Sequence, residues 1–213
     1  MNLNITEIEK DIIREMVNIG VAKAADSFAI IAKEKVLINA PKIKVVDIDS
    51  IKNVVADYEK NTVIIQSDIK GDLDGKTFLL FSEPQAMGLA KICLGSFNSN
   101  GYEEERLKNS LLLEIGNIIT GAIATQFSNI LRLSVFGGLP ILKNNFIGNI
   151  LKSISEEYPV FKPLIFTIKT EFVYSYKSYE LPLVLVFDLQ ALIKILAILR
   201  ESNLEKFELL KNS

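Results

Sequence analysis

Two eight-residue segments of this 213-residue chain carry polar side chains of matching type at matching spacing. Asp11, Glu15 and Asn18 interrupt one apolar run, and Ser110, Glu114 and Asn117 interrupt another. Both fit the pattern Asp or Ser, three residues, Glu, two residues, Asn; a proline follows each asparagine by 23 positions, at Pro41 and Pro140. Each member of the second set lies 99 positions after its counterpart. One such four-point pattern arises by chance in roughly one chain of this length in a few hundred, and a second copy at a common offset is far rarer. Ile19 and Ile118, Phe28 and Phe127, and Ile31 and Ile130 coincide at the same offset, so we read the chain as an internal duplication.

The composition narrows the chemistry such residues can do. With no histidine there is no Ser-His-Asp triad, no imidazole base and no phosphohistidine relay. The lone Cys93 cannot form an intrachain disulfide, a CxxC pair or a structural zinc site, and is expected to pack as a small hydrophobe. A net charge of −2 without a basic block argues against nucleic acid as a partner. Any catalysis must rest on carboxylates, amides, hydroxyls, Lys or Arg, or on a metal held elsewhere.

Helical geometry puts these residues to use. At about 100° per residue, positions 11, 15 and 18 span an arc of about 60°, as do 110, 114 and 117. Glu and Asn then stand one turn apart and point the same way from a mostly apolar rod. Asn is a poor mid-helix residue because its side chain competes with the backbone, so its placement in both helices asks for a reason beyond local structure. The paired prolines are expected to brace the chain after each helix.

The elements that must position these stripes are legible in outline. Residues 5–33 read as a long helix with Thr6 as N-cap and Glu9 completing a capping box, and Asn39, Ala40 and Pro41 end that region. Strands are expected at 42–48, 62–70 and 76–81, the last two joined by the Gly71–Gly75 turn. Ser82 caps a helix that stops at Gly95, and residues 96–102 form a linker rich in Ser, Asn and Gly. The order then repeats: a helix over about 103–131, a helix over 144–157, strands over about 164–174 and 181–187, and a helix over about 189–201. The expected architecture is a single α+β domain over 1–213. Its two pseudo-symmetric helix–strands–helix halves, about 5–95 and 103–202, share a β-sheet, with the motif helices outside and their polar stripes facing solvent.

At this point the sequence resembles the CheC/CheX/FliY family of chemotaxis phosphatases, and within it the CheC-like branch with two motifs in one chain. The family pattern is met at Asp11, Glu15, Asn18 and Pro41 and again at Ser110, Glu114, Asn117 and Pro140. The stretches Glu15-Met-Val-Asn-Ile-Gly20 and Glu114-Ile-Gly-Asn-Ile-Ile119 are similar to the family's E-I-G-N-I-G core, and Ile69-Lys-Gly-Asp-Leu-Asp-Gly75 is similar to its strand–turn–strand glycines. The resemblance covers nearly the whole chain. Ile119 and Thr120 depart from it, standing where family members often have small residues.

The resemblance implies hydrolysis of the aspartyl phosphate of the response regulator CheY. Asn18 and Asn117 would orient the attacking water, and Glu15 and Glu114 would dock on the regulator's lysine. The chain would bind no cofactor or metal of its own, the regulator supplying Mg²⁺. An amide cannot act as a general base, but it can donate to and accept from one water at once, and phosphoryl transfer asks mainly for positioning and charge stabilisation. A CheD-type deamidase is a further partner known for the family. The rival reading is a non-catalytic CheY- or CheD-binding adaptor, or flagellar-switch component, of the same fold.

The N-terminal segment has no basic region followed by an apolar stretch, so a cytoplasmic monomer without a membrane anchor is expected. The uncharged run from Ile115 to Leu131 carries Asn117, Thr120, Gln126 and Asn129, which suit a buried helix with one polar face better than a bilayer. The Gly71–Gly75 segment lacks a residue for a phosphate loop and runs into a strand. Asp72 and Asp74 read as turn chemistry, Glu103–Glu105 as an acidic first turn, and Phe172, Tyr174, Tyr176 and Tyr179 as sheet packing.

Overall fold

A computed structural model describes residues 5–32, 37–46, 62–94, 101–143, 148–149, 152, 156, 165–174 and 177–202. In chain order its elements are α1 (Glu7–Ala32), β1 (Leu37–Val46), β2 (Thr62–Gly71), β3 (Gly75–Ser82), α2 (Glu83–Leu94), α3 (Gly101–Leu131), β4 (Val135–Gly137), β5 (Ile141–Lys143), β6 (Ile165–Tyr174), β7 (Lys177–Phe187) and α4 (Leu189–Glu201).

Helix α1 starts where its capping box predicts. The Thr6 backbone N–H donates to Glu9 Oε2 at 2.7 Å, and the Glu9 N–H donates to Thr6 Oγ1 at 3.3 Å, satisfying donors that a helix start leaves unpaired. Glu9 is buried and also accepts from Arg200 at the far end of α4, at 2.6 Å. Burial pushes the Glu9 carboxyl up, but Arg200 and Thr6 outweigh it and hold it below the usual carboxylate value. Helix α2 opens on a second reciprocal pair: Ser82 N–H donates to Gln85 Oε1 at 2.9 Å, and Gln85 N–H to Ser82 Oγ at 3.4 Å.

The strands form one antiparallel sheet in the order β1-β6-β7-β3-β2-β4, with β5 also on β2. Exchanging the halves leaves that order unchanged, with β3 and β7 at its centre. The first strand of each half crosses over: β1 lies on β6, and β4 and β5 lie on β2. The shared sheet was expected; this exchange was not.

The edges explain the prolines. In β1 the pairing with β6 slips by one residue between Asn39 and Lys42, with Pro41 inside the slip. On the opposite edge the pairing with β2 slips by one residue between Gly137 and Ile141, with Pro140 inside it. Proline has no N–H for a ladder, so it is tolerated at edges and bulges. The expectation that Asn39–Pro41 ends a region is therefore corrected: β1 begins at Leu37 and runs through Pro41.

Helix α3 lies over β2 and β3, with Thr120 Oγ1 2.7 Å from Thr77 Oγ1. Helices α1 and α3 pack on each other, and a Cβ at Gly20 would stand 2.8 Å from the Ile123 Cα. Ile13, Met16 and Val17 of α1, Ile115, Ile123 and Phe127 of α3, and Ile65, Phe81 and Phe187 of the sheet are buried in one core. Each side chain of this size contributes about 1.5–3 kcal/mol when fully buried. Helix α3 is long and apolar enough to span a bilayer, but over half of that stretch is buried inside the fold.

The Gly71–Gly75 segment is a hairpin turn, with Gly71 at a φ of +108° that favours glycine. Asp72 accepts from Ser134 N–H at 2.8 Å and from Lys194 Nζ at 2.6 Å, and Lys194 with Ser134 holds its carboxyl below the ordinary value. Cys93 is half-buried against the core, and burial pushes its thiol up to about 11. Helix α3 takes Gly101 and Tyr102 from the expected linker. The expected helix at 144–157 lies largely outside the described residues, as do the tail after Ser202, Tyr176 and the rest of the linker.

Candidate functional site

The two motifs occupy separate helices, the second against its proline bulge at Pro140, and they differ in exposure. On α1, Asp11 is exposed and paired with Arg14. Glu15 and Asn18 are half-buried, and Asn18 Nδ2 donates to Glu15 Oε2 at 3.3 Å. Asn18 Oδ1 is covered and finds no partner among the described residues. The first stripe is thus less open to solvent than expected, with its amide already turned toward its carboxylate.

On α3, Ser110, Glu114 and Asn117 are all exposed. Ser110 Oγ donates back to the Arg106 carbonyl at 3.0 Å, which fixes the hydroxyl on the helix. Glu114 and Asn117 make no side-chain hydrogen bond to the described residues. A carboxylate and an amide, one turn apart and unengaged, offer a docking point for a cation and an orienting group for water.

The backbone under this second pair is tightly seated. A Cβ at Gly116 would fall 2.5 Å from Ile65 Cγ2 and 3.5 Å from Pro140 Cβ. Pro140 therefore lies against the helix one residue before Asn117, a bracing role for a residue that sequence alone marks only by its spacing. A Cβ at Gly137 would touch Gly121 and Thr120, and the Gly138 N–H donates to the Asp68 carbonyl at 2.7 Å. Thr120, one of the two departures from the family pattern, is turned inward to Thr77 and is fully buried. Its larger side chain sits in the core rather than on the site. Gly121, by contrast, has open space where a Cβ would be.

Among the described residues no three Asp, Glu, Cys or His side chains come together in a way that could hold a metal ion. Spacing in the sequence marks all eight motif positions. It does not mark the Gly137–Pro140 loop as the seat of α3 at Gly116 and Gly121, although the paired glycines ahead of Pro140 are the available signal.

The chain has the α+β fold of the CheC, CheX and FliY proteins, with one sheet that maps onto itself when the halves are exchanged. The curated CheY-P phosphatase CheC of Bacillus subtilis (strain 168) is 25% identical to it over 149 residues, 69% of this chain and 71% of that protein. Among solved structures, FliY of Thermotoga maritima superposes with a TM-score of 0.68 at 18% identity, covering 94% of this chain and 100% of that one. FliM from the H. pylori FliM–SpeE complex gives 0.66 at 11% identity, over 94% and 99%. CheX of Desulfovibrio desulfuricans gives 0.54 at 14% identity, over 82% and 99%. No protein-family profile matches the chain.

Proposed function

We propose that the chain is a chemotaxis phosphatase that hydrolyses the aspartyl phosphate of a CheY-type response regulator. The observation that carries this reading is the exposed Glu114–Asn117 pair, unengaged by any described residue, on a helix seated against Pro140 at Gly116, in a chain similar to CheC. Glu114 docks on the regulator's lysine. The Asn117 amide orients a water in line with the phosphoryl group, whose bond to the aspartate breaks as the water oxygen attacks. The regulator provides Mg²⁺ and charge stabilisation, so this chain contributes positioning alone. Glu15 and Asn18 form a second such site, opened when Asn18 releases Glu15. The protein works as a cytoplasmic monomer.

A non-catalytic module that binds CheY or a CheD-type protein, or serves in a flagellar switch, is the second reading. It is favoured at the first site by the Asn18–Glu15 hydrogen bond, since docking alone needs no free amide. Loss of phosphate from CheY charged with acetyl phosphate separates the two. The phosphatase accelerates it, whereas the adaptor binds charged CheY and leaves the rate at the regulator's own value.

A further inference from the structure

The β4–β5 loop beside the second site presents a side chain that the fold does not use. Leu139 is 88% exposed, more than any other large hydrophobic residue described. A single exposed leucine is ordinary on a protein surface; the mounting of this one is not. Gly137 is seated against Gly121, Pro140 against Gly116, and the Gly138 N–H is bonded to Asp68 O at 2.7 Å. Gly116 and Gly121 flank Asn117 along α3. Leu139 is therefore carried between two contacts to α3, one on each side of Asn117 in sequence, which places it on the loop beside the second motif. Phe136 and Ile141 are also exposed, but they alternate with Val135 and Leu142, which face the core. They point to the other face of the sheet. In the first half the residue before the proline is Ala40, which offers much less apolar surface.

We propose that Leu139 is an affinity-determining contact for the protein bound at the Glu114–Asn117 site. It packs on apolar surface of that partner, and the first site, with Ala40 before its proline, lacks an equivalent. This rests on the phosphatase reading above. Because the loop is already fixed, little ordering opposes the contact. The two sites then differ in their hold on the partner more than in their chemistry.

The test is phosphate release from acetyl-phosphate-charged CheY as a function of CheY concentration, in an Asn18→Ala background that isolates the second site. Leu139→Ser is expected to raise KM about tenfold, the scale of one buried leucine, with kcat within twofold. Leu139→Met, apolar and of similar volume, keeps KM close to that of the parent. An unchanged KM in Leu139→Ser overturns the proposal. So does loss of a dimer in sedimentation velocity without a change in KM, which assigns Leu139 to contact with a second copy of the chain. Failure of the phosphatase reading itself is seen separately, as no hydrolysis by the unsubstituted protein, and takes this proposal with it.

Discussion

The two halves carry one motif on helices that reach it by opposite packing. Where the first helix has Val17, fully buried, the second has Gly116, which lets α3 settle onto Ile65 of the sheet. Where the second has Ile119, the first has Gly20, which lets α1 close onto Ile123 of α3. Each helix gives up a side chain toward a different neighbour, one toward the sheet and one toward the other helix. A similar inversion occurs about two turns earlier. Buried Glu9 pairs with Arg200 at the C-terminal end of α4, and its counterpart, buried Lys108, pairs with Glu83 in the first turn of α2. Both arrangements place the charge that suits that helix end. The lesson is that a polar stripe can hold its spacing while the packing beneath it diverges, and that exposure of the stripe follows the packing. Glu15 and Asn18 are half-buried and bonded to each other, and Glu114 and Asn117 are exposed and bonded to no described side chain.

The largest expected effect is on turnover. Asn117→Ala lowers kcat/KM for phosphate release by about tenfold or more, and Asn18→Ala, whose site then carries the remaining tenth or less, lowers it by only about 1.1-fold, measured with CheY charged by acetyl phosphate. The reverse order would break the comparison. Stability tests it next. Gly116→Val drives a side chain into Ile65 and costs about 1–3 kcal/mol; Val17→Gly leaves a cavity in a helix and costs about 2 kcal/mol. Urea unfolding reads both, and a Gly116→Val variant as stable as the parent would deny the close seat of α3.

A smaller contrast separates two glycines. Gly20→Ala is destabilising by about 1 kcal/mol or more because its Cβ meets the Ile123 backbone. Gly121→Ala is stabilising by about 0.5–1 kcal/mol, since its Cβ meets nothing and the helix gains propensity. The smallest effect is in acid. The folded Glu9 carboxyl titrates below its ordinary value of 4.5, so its stabilising contribution is complete above that pH and fades as the pH falls through the folded value. Glu9→Gln should therefore narrow its stability gap to the parent below pH 4.5, followed by thermal melts across the acid limb.

Much of this was legible locally. The Thr6–Glu9 capping box, the hairpin at Gly71–Gly75 and helix α4 at Leu189–Glu201 depend on neighbours in the chain, and their residues announce them. Strand exchange between the halves was not legible, because either half's edge offers the same ladder and only the assembled sheet decides the pairing. β4 and β5 are three residues each and are separated by Gly-Leu-Pro, too short to show an alternating pattern. The paired spacing of the motifs was legible in the sequence. Their unequal exposure was not, since it depends on whether a glycine at position 20 or 116 meets a helix or a sheet.

The central claim is that the asparagines contribute to hydrolysis and not merely to docking. Its most direct test measures both for Asn18→Ala/Asn117→Ala: phosphate release from charged CheY, and binding of CheY held in its activated form with beryllofluoride and Mg²⁺. The account predicts release at the regulator's own rate with affinity within about threefold of the parent. Release as fast as the parent's would contradict it.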